Sequence, residues 1–299
     1  RAAGAEVREG WEVQHVIRDT GGRATGVRAR VPSGELAEVE ASAVVGADGA
    51  SSAVARSLGV LDHAPDHLCL AARTYVKARE LPQPWLEIFT TERTLPGCTW
   101  IVPVGAEEWN VGVGVIKRDA GRMRISPRQL FEEVKEQSPL FAARLNGVKV
   151  ENLRGWSLPG ASQQRPLVGH GHLLVGDAGA MVDPFTGHGI HHALMAGLIA
   201  GQALAQALKE RDVSRAALMS YDRQCRSAFL DESASAVTLQ RLHAQATLMR
   251  LAVKLCGAHP GLRWAFLSLL GHAVPRRAVF APMQVLKAAF TRGPAVVSA

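Results

Sequence analysis

Alternating hydrophobic and polar positions predict two antiparallel parts of the fold. Near the start, residues 13–18 and 24–30 follow the two-residue period of a strand, and they flank the turn Asp19-Thr20-Gly21-Gly22. In the middle of the chain, residues 100–104 and 109–116 repeat this pattern around a second turn. We therefore expect an early hairpin and, later, an antiparallel sheet.

Between and after these parts, the pattern predicts alternating strands and helices. An apolar run at 43–47 ends in Asp48-Gly49, and Ser51-Ser52 then cap a predicted helix. A second apolar run at 172–177 predicts a buried strand that ends in Asp177. It is followed by a long predicted helix of small residues at 190–208. This strand, turn and helix order is typical of α/β folds.

Helical patterns also follow the sheet. Ser126-Pro127 opens a predicted helix that continues to residue 145, and residues 150–158 predict another strand. Beyond Ser220 the chain is predicted to be helical, with breaks at His259-Pro260-Gly261 and near Pro275. This tail alternates apolar with basic residues. Two interpretations remain for it: packing on the body of the protein, or a basic apolar face on anionic lipid.

Composition narrows the class of protein. Hydrophobic residues make up 47% of the 299 residues and charged residues 20%, which is typical of a folded globular protein and argues against disorder. The formal net charge of +7 would suit nucleic acid, anionic lipid or a phosphorylated substrate. No basic cluster is interleaved with aromatic residues, so we do not expect nucleic acid as a partner.

Cysteine spacing and the chain ends bear on location. The four cysteines lie far apart and have no paired spacing typical of zinc or a redox dithiol, so we expect a reducing cytoplasm. No uninterrupted apolar run reaches the roughly 20 residues of a membrane span. The chain starts at Arg1 without an initiator Met, and we therefore expect further polypeptide upstream.

Two segments carry candidate chemistry. In residues 44–52, a carboxylate follows a strand and a glycine allows close approach by a ligand, although Asp48 or Ser51 could instead cap the next helix. Residues 176–190 are more specific, because Asp177, Asp183-Pro184 and the glycines at 187 and 189 lie just before a long helix. Its amino-terminal amides would bind an anion, and the carboxylate of Asp177 would accept a sugar-like hydroxyl.

These two segments, in this order, resemble the flavoprotein hydroxylase superfamily, and the resemblance covers nearly the whole chain. It implies FAD as the cofactor. Asp48 and Gly49 match the motif that touches FAD and, in some members, the nicotinamide cofactor, while Asp177 matches the acid on the ribityl chain. Gly187 and Gly189 match the loop beside the flavin ring. The cofactor-binding residues assigned by this resemblance are Asp48, Gly49, Gly176, Asp177, Pro184, Gly187, His188, Gly189 and Ile190. The family's amino-terminal Gly-x-Gly-x-x-Gly segment has no counterpart here.

A third segment suggests the substrate. Residues 96–103 and the strand 109–114, which contains Val-Gly-Val-Gly, are similar to the substrate-side hairpin of geranylgeranyl reductases. The resemblance implies reduction of isoprenoid carbon–carbon double bonds, with Trp100 and Pro103 in contact with an apolar substrate and NAD(P)H or another reductant as electron donor. Cys98-Thr99 and Val102 depart from the reductase pattern, as does His188, which stands where many reductases carry Glu.

Three alternatives stay open because of these departures. A flavin-dependent monooxygenase or halogenase would act on a small aromatic or polyketide-like substrate with the same scaffold. An inactive fragment would lack the part of the site that holds ADP. Trp100 and Pro103 could also simply pack a hairpin. No residue is assigned as proton donor, and His188, His191 and His192 do not form a metal motif, since no carboxylate lies between them at the zinc-protease position.

The expected fold class is α/β, with a discontinuous FAD-binding domain, an antiparallel substrate-binding sheet and a helical carboxy-terminal tail. We assign 1–62 and 158–215 to the FAD-binding domain, 63–157 to the sheet domain and 216–299 to the tail. The expected location is cytoplasmic, with peripheral membrane contact if the tail meets lipid.

Overall fold

The computed structural model of the protein describes residues 3–77, 85–105 and 107–271. The strands are β1 Glu12–Arg18, β2 Ala24–Arg30, β3 Leu36–Glu40, β4 Val44–Gly46, β5 Leu68–Lys77, β6 Glu87–Phe89, β7 Cys98–Pro103, β8 Glu108–Ile116, β9 Arg154–Pro159, β10 Val168–Gly169 and β11 His172–Leu174. The helices are α1 Ala53–Ser57, α2 Lys117–Met123, α3 Pro127–Gln137, α4 Pro139–Arg144, α5 Ile190–Lys209, α6 Arg215–Cys225, α7 Ser233–His243, α8 Ala246–Ala258 and α9 Pro260–Leu270.

The described chain divides into two compact units, each drawn from separate stretches of sequence. The first combines the residues up to His63 with Gln163–Val182 and His188–Asp231. The second combines Ala64–Ser162, Asp183–Gly187 and the residues from Glu232 onward. Mixed α/β architecture with antiparallel sheets and carboxy-terminal helices is thus confirmed.

The first unit contains two small sheets. Strands β1, β2 and β3 form an antiparallel meander, which confirms the predicted hairpin and adds β3, which was not predicted. Strands β4 and β11 pair in parallel, and β10 pairs antiparallel with β11. Both sheets contribute to one core, whose buried members include Val16, Val44, Val54 and Leu174.

The second unit is built on a five-stranded antiparallel sheet of order β6-β7-β8-β5-β9. One face of it packs against α3 and α4, because the side chains that alternate toward that face are apolar. The fully buried residues there include Val111, Val113, Phe131 and Phe141. The predicted strand pair at 100–104 and 109–116 corresponds to β7 and β8, so that prediction is confirmed to within two residues.

Three element predictions need correction. The helix predicted from Ser126 to residue 145 is two helices, because Ser138 is extended before Pro139, whose ring removes an amide donor and restricts the preceding residue. The strand predicted at 150–158 begins only at Arg154. The strand predicted to end at Asp177 ends at Leu174, and Asp177 lies in the 3₁₀ turn Gly176–Gly179.

The helical tail is confirmed within the described residues. Helices α6 to α9 occupy it, joined after α6 by the π-helical turn Arg226–Leu230. The predicted break at 259–261 is present, because His259 is extended and Pro260 starts α9. The predicted break near Pro275 lies outside the described residues.

Candidate functional site

The parallel pair of β4 and β11 brings two acidic residues to the same edge of one sheet. Leu174 at the end of β11 is paired with Gly46 at the end of β4. Asp48 and Asp177 follow these ends after two and three residues, respectively. In open α/β sheets, ligands bind outside the carboxyl ends of parallel strands. The first unit therefore places the two predicted carboxylates where a ligand-binding edge is expected.

Asp48 has a structural role in its own loop. One carboxylate oxygen accepts a hydrogen bond from Ser52 Oγ at 2.5 Å and the other accepts from the Val54 amide at 3.1 Å. Ser52 in turn caps α1 by accepting from the Ala55 amide at 2.8 Å. Gly49 adopts a positive φ of 77°, which favours glycine at this turn. Of the two serines expected to cap α1, Ser52 is the N-cap. Asp48 supports the same turn, since it also accepts from an amide of the first helical turn.

The carboxylate of Asp177 differs from that of Asp48 in its hydrogen bonds and its burial. Its carboxylate is half-buried and accepts no hydrogen bond from the residues that the structure describes. Burial raises the pKa of this carboxyl, and the positive charge of Arg165 opposes that shift. A partly desolvated acid without a donor is free to accept a ligand hydroxyl, as the resemblance to flavoproteins requires.

Arg165 was missed by sequence reasoning. Its guanidinium is 3% exposed and donates to the backbone carbonyls of Ala178 at 3.1 Å and of Asp62. Burial lowers its pKa, and its Nε has no hydrogen-bond partner in the described part of the chain. Arg165 therefore holds the 3₁₀ turn that carries Asp177. The residues around it, Gln163-Gln164-Arg165-Pro166, read as a polar loop, so nothing in the local pattern indicated its burial.

The amino-terminal end of α5 is formed by a glycine. Gly189 is the N-cap and no side chain caps this 20-residue helix, nor does its first turn contain an acidic residue. A Cβ at position 189 would lie 3.1 Å from Val182 Cγ2 and 3.5 Å from Asp177 Oδ1, so glycine keeps this region narrow beside the acid. Ile190 and His188 are exposed. The amides at this helix start are suited to an anion or to a polarised carbonyl.

The loop of residues 183–187 belongs to the second unit. Asp183 is buried, and its Oδ1 accepts from the amides of Phe185 at 3.1 Å and Thr186 at 2.7 Å. Asp183 therefore caps this loop. The Pro184 carbonyl accepts from Gln240 Nε2. Gly187 has a φ of 73° and nothing within 4 Å of the position a Cβ would take, so backbone conformation rather than crowding explains glycine there.

Trp100 lies across the neighbouring strand of the five-stranded sheet. Its Nε1–H donates to Asn110 Oδ1 at 2.7 Å. A Cβ at Gly112 would be 2.5 Å from Trp100 Cζ2, and one at Gly114 would be 3.6 Å from Cζ3. The two glycines thus make room for the indole. Asn110 was missed, although a polar residue in an otherwise apolar strand could have indicated it. Pro103 ends β7 opposite Trp109.

The Trp100 indole lies on the face of the five-stranded sheet that is opposite the core. By strand register, Trp100, Asn110, Gly112, Arg73, Tyr75, Arg154 and Trp156 point away from the core that α3 and α4 cover. We call this the aromatic face. Trp156 is 63% exposed and Tyr75 49%.

Burial raises the pKa of the thiols at Cys69, to about 12, and at Cys98, to about 11, so neither is a ready nucleophile at neutral pH.

The described part of the chain has neither a cluster of metal-ligating side chains nor a helix that could span a membrane. No group of three or more His, Cys, Asp or Glu side chains in residues 3–77, 85–105 and 107–271 could hold a metal ion. Within the same ranges, no helix combines the length and apolarity needed to cross a bilayer.

Of the histidines considered above, His192 is buried, with Nδ1 2.7 Å from the Met181 carbonyl and its ring stacked on Phe229.

Comparison with known proteins identifies one family and several named relatives. The family described as FAD binding domain matches residues 1–231. Digeranylgeranylglycerophospholipid reductase 1 from Methanopyrus kandleri is 34% identical over 234 residues, which cover 77% of this chain and 60% of that protein. The chain spans about half the length of the curated relatives it matches.

Solved structures share the fold. A geranylgeranyl bacteriochlorophyll reductase-like protein from Thermoplasma acidophilum superposes with a TM-score of 0.76 at 23% identity, covering 99% of this chain and 70% of that one. A flavin-dependent brominase has a TM-score of 0.65 at 20% identity, covering 87% of this chain and 64% of that one. At these identities the likeness concerns the fold alone, and it is shared by reductase-like and halogenating proteins.

Proposed function

Since the chain belongs to the family of FAD binding domains, we propose that it is part of an FAD-dependent oxidoreductase that reduces carbon–carbon double bonds of isoprenoid, geranylgeranyl-type lipids. The observation that carries the substrate class is the aromatic face, on which the Trp100 indole covers two glycines of β8. The indole and the glycines beneath it offer an apolar patch that suits part of a prenyl chain. The relative named as a digeranylgeranylglycerophospholipid reductase supports the same choice.

The residues proposed to hold FAD lie in the first unit and in the loop of residues 183–187. The unpartnered carboxylate of Asp177 would accept a hydroxyl of the ribityl chain, and the amides at the start of α5 would stabilise negative charge on the bound group. The proposed set is completed by Asp48, Gly49, Gly176, Pro184, Gly187, His188, Gly189 and Ile190. When bound, FAD would supply the hydride chemistry, and NAD(P)H or another reductant the electrons.

Trp100 and Pro103 are proposed to contact the substrate. The hydrogen bond from Trp100 to Asn110 holds the indole in one orientation, so the apolar surface is formed before substrate binds. Each CH2 of a prenyl chain removed from water contributes about 0.8 kcal/mol. A site of this kind should therefore discriminate substrates by chain length.

The tail is proposed to meet the membrane that holds such lipids. Helix α8 has no buried residue, and its exposed side chains include Leu248, Leu251 and Leu255 on one side. In α9, Trp264 is 46% exposed. Lys254 and Arg263 add positive charge to the same two helices. An exposed apolar stripe with nearby cations is typical of a helix that lies in the interface of an anionic bilayer.

The decisive experiment offers two substrate classes to the flavin-loaded protein. A geranylgeranyl lipid is incubated anaerobically with dithionite or NADPH, and mass spectrometry counts hydrogens added. We expect two per reduced double bond, and lower activity on shorter prenyl chains. Trp100→Ala should raise KM, whereas Trp85→Ala, which alters an exposed tryptophan outside the five strands, serves as the control.

Three outcomes would contradict the proposal. Oxygen-dependent hydroxylation or halogenation of a small aromatic, without lipid reduction, would favour the monooxygenase or halogenase alternative. Equal activity on long and short prenyl chains would remove the role given to the aromatic face. No flavin uptake and no turnover at all would favour a non-catalytic protein.

A further inference from the structure

A histidine and a serine from distant parts of the sequence form a hydrogen-bonded pair in the second unit. His67 Nδ1 lies 2.8 Å from Ser162 Oγ, and both side chains are half-buried. Local sequence patterns do not indicate this pair, because its members are 95 positions apart. Asp66, next to His67 in the chain, pairs instead with Arg118 at 2.8 Å. The imidazole is therefore coupled to a hydroxyl rather than to a carboxylate.

The ends of two neighbouring strands hold the pair. Leu68 at the start of β5 is paired with Pro159 at the end of β9. One residue further out, the Gly160 amide donates to the His67 carbonyl at 2.8 Å, so the backbone hydrogen bonds continue to the histidine. Ser162 follows two residues later. The backbone of the sheet thus sets the position at which imidazole and hydroxyl meet.

The pair adjoins the loop that ends at Gly187, and both meet at Gly160. A Cβ at that residue would lie 3.1 Å from the His67 carbonyl oxygen, 3.2 Å from Ser162 Oγ and 3.8 Å from Pro184 Cβ. The hydroxyl and the proline are therefore both within 4 Å of one point. Because Gly187 matches the flavoprotein loop beside the flavin ring, the pair adjoins the loop proposed to face the reacting part of the cofactor.

Each member of the pair keeps capacity for a further partner. His67 Nε2 forms no hydrogen bond among the described residues and is accessible to solvent. A serine hydroxyl has one donor and two acceptor lone pairs. When the imidazole is charged, its Nδ1–H donates to Ser162 Oγ and leaves the hydroxyl proton for a third group. A charged imidazole behind a hydroxyl is thus arranged to pass a proton onward.

We propose that Ser162 is the catalytic proton donor in the reduction of the double bond, and that His67 acts through it. The step rests on the function proposed above. One alkene carbon accepts a hydride from the reduced flavin and the other accepts the Ser162 hydroxyl proton, so the π bond breaks and two C–H bonds form. Ser162 Oγ takes the Nδ1 proton of charged His67 in the same step. The neutral imidazole regains a proton from water, as histidine does near neutral pH.

Single-turnover kinetics of the flavin-loaded protein tests this step. The protein is reduced with a stoichiometric amount of dithionite and mixed anaerobically with a detergent-solubilised geranylgeranyl lipid, and flavin absorbance follows reoxidation. We expect Ser162→Ala and His67→Gln each to slow reoxidation about a hundredfold, as loss of a general acid does. Flavin affinity and the lipid concentration at half-saturation should stay the same, since neither variant removes binding contacts common to ground and transition states.

Two further variants separate the hydroxyl from its surroundings. Ser162→Thr keeps a hydroxyl and should keep most of the rate. Ser157→Ala is the matched control, because it removes the hydroxyl of another half-buried serine of the same unit. We expect it to leave reoxidation unchanged.

A second measurement needs no turnover. Long-range proton–nitrogen NMR spectra of the histidine rings report the protonation and hydrogen bonding of each ring nitrogen. The Nδ1 signal that is missing from His67→Gln should shift in Ser162→Ala and stay in place in Ser157→Ala.

The outcomes distinguish this proposal from the proposed function. Lipid reduction at an unchanged rate in Ser162→Ala or His67→Gln overturns the proton transfer alone, and so does an Nδ1 signal that does not respond to loss of the Ser162 hydroxyl. Slow reoxidation with an equal loss of flavin affinity assigns the pair a structural role and also overturns it. Absence of lipid reduction by the unmodified, flavin-loaded protein rejects the proposed function and this step together.

Discussion

Single residues distinguish two aspartates that look alike in sequence. Both follow short strands and precede small residues, yet the carboxylate of Asp48 accepts two hydrogen bonds within its turn and that of Asp177 accepts none from the described residues. Sequence reasoning found both positions, because a carboxylate after an apolar run is a local signal. It could not tell which acid has free acceptor capacity, since this depends on the partners each side chain meets in the fold.

Asp177→Ala should therefore separate binding from stability. Loss of one charge-assisted hydrogen bond to a ribityl hydroxyl would weaken FAD binding by about 1–3 kcal/mol. Stability should be unchanged or higher, because burial raises the pKa of Asp177 and an unpartnered acid costs folding free energy. The folded state binds an extra proton between pH 3.8 and the raised pKa of Asp177. The gain in stability from Asp177→Ala therefore appears above that pH window. Flavin fluorescence titration and urea unfolding measure the two effects.

The exposed Asp212 provides the control, since Asp212→Asn changes a carboxylate of the same unit that only caps its own turn. Flavin affinity of Asp177→Ala equal to that of the unmodified protein would remove Asp177 from the cofactor site.

A half-buried histidine with buried ring nitrogens should make stability depend on pH. His243 ends α7, its ring lies 5.8 Å from that of Phe185, and neither ring nitrogen has a hydrogen-bond partner among the described residues. Burial lowers its pKa from 6.5. The unfolded state then binds more protons below 6.5, so this contribution to stability is complete above that pH and is lost as the pH falls.

His243→Leu should reduce the acid sensitivity. Urea unfolding at about pH 7.5 and about pH 5 should show a smaller difference for the variant than for the unmodified protein, with a gain of about 1–2 kcal/mol from removing unpaired polar atoms. His170→Gln changes an exposed histidine and is the comparison. An identical pH dependence of the His243 variant would contradict the assignment.

At the scale of elements, turns and apolar runs within one stretch of sequence predicted strands and helices, whereas pairing between distant segments could not be predicted from them. The β1–β2 hairpin was predicted to within one residue because Asp19-Thr20-Gly21-Gly22 specifies its turn. The split between α3 and α4 was available from Pro139, yet apolar periodicity was followed through it. Strand β3 alternates only weakly, with no buried residue. The short strands β4 and β11 are stabilised by pairing across more than 120 residues, which no local window contains.

The β7–β8 pair offers a test of an element whose packing is tightly specified. Gly112→Ala would place a Cβ 2.5 Å from Trp100 Cζ2 and 2.7 Å from the Ala72 carbonyl oxygen. Because the backbone carbonyl cannot move aside cheaply, we expect a loss of about 1–3 kcal/mol in the free energy of unfolding. Gly105→Ala, in the turn between β7 and β8, would meet only Glu108 Cβ at 3.7 Å and should be nearly neutral. Chemical denaturation followed by circular dichroism checks both.

At the scale of the whole molecule, sequence resemblance identified the cofactor family and the structure added what no motif contains. The match of residues 1–231 to the FAD binding domain family confirms the cofactor family. Arg165 and Asn110 were absent from the sequence-based expectations, because the role of each depends on burial or on strand register. The site residues assigned by motif remain predictions, and their first test is the contrast between Asp48 and Asp177.

Helices α8 and α9 of the tail leave most of their apolar side chains exposed or partly exposed. Most apolar side chains of the five-stranded sheet are buried, whereas α8 has none buried and α9 has only Gly261 and Leu269. Burying one such side chain in lipid contributes about 1.5–3 kcal/mol, and each nearby cation about 1 kcal/mol at an anionic surface. The apolar term alone would suit any bilayer. The positive residues Lys254 and Arg263 should therefore make binding selective for anionic vesicles and sensitive to salt.

Sedimentation with liposomes tests this expectation. The protein should bind vesicles containing phosphatidylglycerol more than those of phosphatidylcholine, and less as salt rises. Leu251→Asp combined with Trp264→Asp should lower partitioning at least about tenfold, because two exposed apolar anchors become charged. Leu36→Asp, at an equally exposed leucine of β3, should leave it unchanged. Absence of binding to either vesicle would assign these helices to packing within the protein, and a loss shared by Leu36→Asp would show that added negative charge, rather than the tail, controls the interaction.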